Sequence, residues 1–87
     1  MKNSGGEMQD KDILIKNIDK LHTTEMGIKR ISRNLGINGD VVEYCRSKIL
    51  KNNAEITRKG KNYYFEVDEC IITVNASSFT IITAHKK

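Results

Sequence analysis

The sequence predicts an α+β domain in which two or three N-terminal helices cover one face of a four-stranded antiparallel sheet. Three observations carry this. The last third of the chain holds four β-branched or aromatic runs separated by turn residues. The stretch before them carries apolar residues at helical spacing. A chain of 87 residues buries only roughly 60 to 65% of its unfolded surface, which is enough for one core and one domain, expected over residues 11–87.

The strands are expected at residues 54–58, 63–67, 70–75 and 79–84. Gly60-Lys61, Asp68-Glu69 and Ala76-Ser77 then serve as two-residue turns, with positive φ at the glycine. Pairing across these turns puts Ile56, Phe65, Ile72 and Ile81 in one row. That row is flanked by Arg58, Tyr63, Val74 and Phe79 on one side and by Ala54, Val67, Cys70 and Thr83 on the other. This mostly apolar face is the core face. The other face carries Thr57, Tyr64, Thr73 and Thr80, between Lys59, Asn62, Asn75, Ser78 and Glu55, Glu66, Ile71, Ile82. A stripe of hydroxyls and amides therefore crosses the open side.

Residues 1–10 are polar, contain Gly5-Gly6 and show no periodicity, so they are expected to form a flexible tail. Leu14, Ile18 and Leu21, joined by Ile13, give a short amphipathic helix over 11–21. Thr23 or Thr24 caps a second helix with Glu25 at its positive end, and Gly36 stops it. Ile28, Ile31 and Leu35 form its apolar side, while Lys29, Arg30 and Arg33 make its polar side basic. Asp40 followed by Glu43 resembles a capping box and opens a third helix over 41–51, with Val41, Val42, Cys45 and Ile49 as its stripe.

Composition narrows the classes of function. With 38% hydrophobic and 30% charged residues, no proline and no run long enough to span a bilayer, the chain reads as globular and without a membrane partner. Its polar start lacks a signal peptide, so a cytoplasmic location is expected. Cys45 and Cys70 lack the paired spacing of zinc ligands and read as buried thiols. No phosphate loop, metal-ligand spacing or nucleophile elbow is present, so neither metal nor cofactor is expected. The net charge of +4 favours an anionic partner.

Two histidines and several cations remain. Cleaving RNA without metal needs a base for the ribose 2′-hydroxyl, an acid for the leaving oxygen and cations for the developing charge. His22, Arg30, Lys61 and His85 are the candidates for these roles. Arg33, Lys59, Asn62, Tyr64, Thr73 and Asn75 are candidate RNA-binding residues, since a stacking ring among amides, hydroxyls and cations suits single-stranded nucleic acid. Against this stands the ordinary alternative, in which threonine and tyrosine are simply good strand formers on a solvated face.

Several runs resemble a small bacterial family of unknown function. They are His22-Thr23-Thr24-Glu25-Met26-Gly27, Arg30-Ile31, Asn34-Leu35, the stretch from Arg58 to Tyr64, Ile72-Thr73-Val74-Asn75, and the stretch from Thr80 to Lys86. This resemblance spans roughly His22 to Lys86 and brings no established activity with it. The order of helices before an antiparallel sheet is distantly similar to the superfamily of barnase, EndoU, colicin-type nucleases and RelE-like toxins. That second resemblance implies a ribonuclease of toxin type and an antitoxin as protein partner, with His22, Arg30, Lys59 or Lys61, Thr83 and His85 at the matching places. The rival reading is a non-catalytic module that binds nucleic acid or protein on its open face, or adds a strand at an unpaired edge, 54–58 or 79–84. The separation of the two histidines discriminates between them. None of these patterns encodes an oligomeric state.

Overall fold

The computed structural model describes residues 10–87, so the tail expected over the first ten residues lies outside the described residues apart from the backbone of Asp10. Three α-helices, α1 (Asp10–Lys16), α2 (Glu25–Leu35) and α3 (Val41–Ile49), precede the strands β1 (Glu55–Lys59), β2 (Asn62–Val67), β3 (Cys70–Asn75) and β4 (Ile81–Lys86). The strands form one antiparallel sheet in the order β1-β2-β3-β4, as expected of a meander.

Local chemistry explains where the helices begin and end. Asn17 interrupts the helix expected over 11–21, because its side chain donates to the Ile13 carbonyl at 2.8 Å and its backbone N–H is shared between Ile13 and Leu14. The chain tightens there into a single 3₁₀ turn, Ile18–Lys20. Thr24 caps α2 by accepting from the Gly27 N–H, and Gly36 ends it at φ +66. Asp40 caps α3 through the Glu43 N–H. Gly27 is buried, and a Cβ on it would lie 2.1 Å from Thr23 Oγ1, so only glycine leaves that hydroxyl free to bond the Ile81 carbonyl of β4 at 2.8 Å.

Phe65, Ile72, Ile81, Ile31 and Ile49 are all fully buried or nearly so, together with Leu14, Val41, Cys45 and Val74. The helices thus meet the sheet face chosen by the strand alternation. Burial pushes the Cys45 thiol up to about 12, helped by the nearby Cys70, and both cysteines are free and buried. Among the described residues no helix is long and apolar enough to cross a membrane.

The first two turns follow expectation. Gly60-Lys61 joins Lys59 to Asn62 with Gly60 at φ +56. Asp68-Glu69 joins Val67 to Cys70 with both residues at positive φ, +49 and +66. A type I′ turn without glycine or asparagine is strained, and here side chains brace it. Asp68 accepts from Lys51 Nζ at 2.5 Å, Lys48 Nζ at 2.9 Å and Asn53 Nδ2 at 3.4 Å. These donors, Lys51 first, hold the Asp68 carboxyl well below the usual carboxylate range.

A carboxyl depressed in this way stabilises the fold above its unfolded value, near 4, and loses that contribution as pH falls through the folded value. Wild type should therefore lose urea resistance steeply from about pH 4 downward, and Asp68→Asn should flatten that loss. Urea midpoints measured between pH 2 and 5 check this, and equal pH slopes in the two proteins would refute it.

The third turn differs from expectation. A two-residue Ala76-Ser77 turn would pair Ile72 with Ile81, but five residues separate β3 from β4. Asn75 causes the change. Its Oδ1 accepts from the Ser77 and Ser78 N–H groups, both at 2.9 Å, mimicking a backbone turn, while its own N–H and C=O bond Thr80 and Phe79. The loop then turns through Phe79, which is buried at φ +60. As a result Ile72 faces Ala84, Thr73 faces Thr83, and a bulge at Ile82 lets Val74 face Ile81. The bulge allows Ile81 and Ala84, three residues apart, both to be buried.

Candidate functional site

The candidate residues fall into three places, with His85 apart from all of them. The first is the end of the sheet where the β1–β2 turn meets the β3–β4 loop. Lys59, Lys61, Asn62 and Asn75 meet there, because Asn62 pairs with Asn75 and the Ala76 N–H donates to the Lys61 carbonyl at 2.8 Å. His22 joins this end through a parallel bridge to Thr80, in which its N–H bonds the Phe79 carbonyl and its C=O bonds the Ile81 N–H.

The His22 ring is oriented from both sides. Nδ1 lies 2.8 Å from the Lys20 carbonyl, which only accepts, so Nδ1 carries a proton. In the neutral ring Nε2 then accepts from the Thr80 hydroxyl at 3.0 Å, and Thr80 accepts from the Ser78 hydroxyl at 2.7 Å. Protonation at Nε2 reverses the chain. Thr80 then donates to Ser78, and Ser78 donates to Asn75 Oδ1 at 3.2 Å. The hydroxyl chain can thus serve Nε2 either as donor or as acceptor without any change of backbone. Thr80 and Ser78 were visible in the sequence only as members of a polar row. Their role arises from the longer loop.

The second place is the outward face of α2. Met26, Lys29, Arg30 and Arg33 line a groove of about 240 Å³, and Met26 is 70% exposed. Arg30 thus stands with Arg33 and not with Lys61. Lys29 and Met26 complete the set, at the helical spacing that the sequence already displays.

The third place is the open sheet face. Tyr64 is half-buried and lies opposite Thr73, as the alternation predicts. Thr73 is only 6% exposed, however, because Tyr64 and Thr83 flank it on both neighbouring strands; it supports the face and is not a free contact. A cleft of about 400 Å³ on this face is lined by Glu55, Thr57, Lys59, Tyr64, Phe65, Glu66 and Ile71.

His85 lies apart from His22. It pairs with Ile71 near the far end of β4, five residues beyond Thr80, or roughly 15 Å along the strand. Its ring Nδ1 lies 3.0 Å from the Lys86 carbonyl, and the pairs of Glu66 with Lys87 and of Asp68 with Lys48 and Lys51 lie at the same end of the sheet. The two imidazoles are therefore not assembled as one acid–base pair. Among the described residues no three His, Cys, Asp or Glu side chains converge as metal ligands would.

The ion pairs found among the described residues all lie on α3 or at this end of the sheet. Lys29, Arg30, Arg33, Lys59 and Lys61 have no carboxylate partner among those residues.

No curated protein and no solved structure matches this chain. A family described as "Protein of unknown function (DUF3781)" matches residues 15–85, which takes in β1 to β3, β4 up to His85, α2, α3 and the loop that holds His22, and the chain belongs to that family.

Proposed function

We propose that this protein is a single-stranded RNA-binding module that does not cleave its ligand. The observation that carries this is the set of cations on α2 and around the β1–β2 turn, Lys29, Arg30, Arg33, Arg58, Lys59 and Lys61, none of which has a carboxylate partner among the described residues. Unpaired cations attract phosphate without first breaking a salt bridge, and phosphate contacts supply most of non-specific affinity. The open face adds a place for a base. Tyr64 offers a ring, Glu55 and Glu66 accept from exocyclic amino groups, and Lys59 lies on the side of the cleft nearest the basic turn.

Cleavage of toxin type is the weaker reading, because it needs an acid and a base on one phosphodiester and His22 and His85 are some 15 Å apart by strand rise. The test is fluorescence anisotropy with a labelled single-stranded RNA across 50 to 200 mM salt. Affinity should fall steeply with salt, and Lys61→Ala should reduce the log–log slope by about one. A salt-independent affinity, or no binding, would refute the proposal. RNA cut by the wild-type protein in chelator and spared by His22→Ala would favour the catalytic reading instead.

A further inference from the structure

The two outer edges of the sheet are treated differently. On β4, three of the outward backbone groups are occupied. The His22 bridge takes the Ile81 N–H, Thr23 Oγ1 donates to the Ile81 carbonyl, and Asn34 Nδ2 donates to the Ala84 carbonyl at 3.3 Å. On β1 nothing comparable is found. Lys59 closes a two-residue hairpin, so Lys59, Thr57 and Glu55 direct their N–H and C=O groups toward β2. Ile56 and Arg58 direct theirs outward, and among the described residues no backbone partner meets them.

We propose that two copies of this chain pair β1 to β1, antiparallel, about a two-fold axis at Thr57, to form one eight-stranded sheet. The sequence Glu55-Ile56-Thr57-Arg58-Lys59 is self-complementary in that register. Glu55 of each copy lies opposite Lys59 of the partner subunit on the open face, Thr57 faces its own symmetry mate, and Ile56 faces Arg58 of the partner subunit. The hydrogen-bond phase agrees. Ile56 and Arg58 are the residues whose backbone groups point outward, and this register pairs them with each other, so four ladder bonds form without rearrangement. The paired charges repeat by symmetry, as an isologous interface requires.

The helices leave room for this pairing. Lys11 Nζ of α1 bonds the carbonyls of Lys51 and Ala54, which places α1 at the Glu55 end of β1. The two-fold axis puts the partner's α1 at the opposite end, so the two helices are not superimposed over one strand. The exposed polar face of β1, a short strand, implies a small and transient interface, with a dissociation constant in the micromolar to submillimolar range.

Sedimentation equilibrium of the full chain at low salt, without RNA, tests the pairing independently of the RNA-binding proposal. Wild type should show a monomer–dimer equilibrium. Glu55→Lys and Lys59→Glu should each raise the dissociation constant about tenfold, since two opposite-charge pairs become like-charge pairs. An equimolar mixture of these two variants should dimerise again, because each supplies the charge that the other lacks. Thr57→Cys should oxidise to a covalent dimer, whereas Glu55→Cys, with its two copies roughly 13 Å apart, should not. The native cysteines are buried and leave this readout clear. A wild type monomeric throughout, mixed variants that remain apart, or equal cross-linking at both positions would overturn the proposal.

Discussion

Phe65→Ala is expected to lower the unfolding temperature by roughly 12 to 40 °C, or to abolish the cooperative transition altogether. Phe65 is fully buried on a central strand, with Ile56 and Ile72 beside it in the sheet and the Tyr63 ring 6.3 Å away. Truncating a buried phenylalanine costs about 3 to 5 kcal/mol through lost transfer energy and the cavity left behind. A domain of this length has a total stability of roughly 4 to 13 kcal/mol, so one substitution removes a large share of it. Tyr64→Ala, one residue earlier and facing the open side, should cost far less. Thermal unfolding followed by circular dichroism compares the two, and a larger loss for Tyr64→Ala would mean that the faces of β2 are reversed.

The double substitution Arg30→Glu with Arg33→Glu is expected to weaken single-stranded RNA binding on the order of a hundredfold at low salt. Each reversal replaces an attraction to phosphate with a repulsion, and neither residue has a carboxylate partner among the described residues whose loss would confuse the result. Both side chains are exposed on a helix whose buried residues are Gly27, Ile31 and Leu35, so the fold should be retained. Lys86→Glu, beside His85, changes net charge by two units against four for the double substitution and should have a much smaller effect. A loss half as large on a logarithmic scale would show that affinity follows net charge and not the α2 face. Anisotropy titrations at one fixed salt concentration distinguish these outcomes.

Much of the architecture was legible from local rules. Alternation in residues 63–67 and 70–75 placed Phe65 and Ile72 inside and Tyr64 outside, and the structure agrees. The two-residue turns at Gly60-Lys61 and Asp68-Glu69 set the β1–β2 and β2–β3 registers correctly, because each turn length leaves only one pairing. Caps at Thr24 and Asp40 set the starts of α2 and α3, since each depends on a side chain and an amide three residues apart.

Sequence alone determined the α+β class, the core face of the first three strands and the basic side of α2, all of which follow from periodicity and neighbouring residues. Only the tertiary structure decided the course of β4 and the grouping of the candidate site. Asn75 has two ways to satisfy its backbone and amide groups, and the five-residue loop prevails where Phe79 can be buried and His22 can bond both Phe79 and Ile81. Those contacts link residues more than fifty positions apart, so no local pattern reports them. The same long-range pairing brings His22 to Thr80 and Ser78, leaves His85 at the far end of β4, and covers part of the β4 edge while β1 stays open.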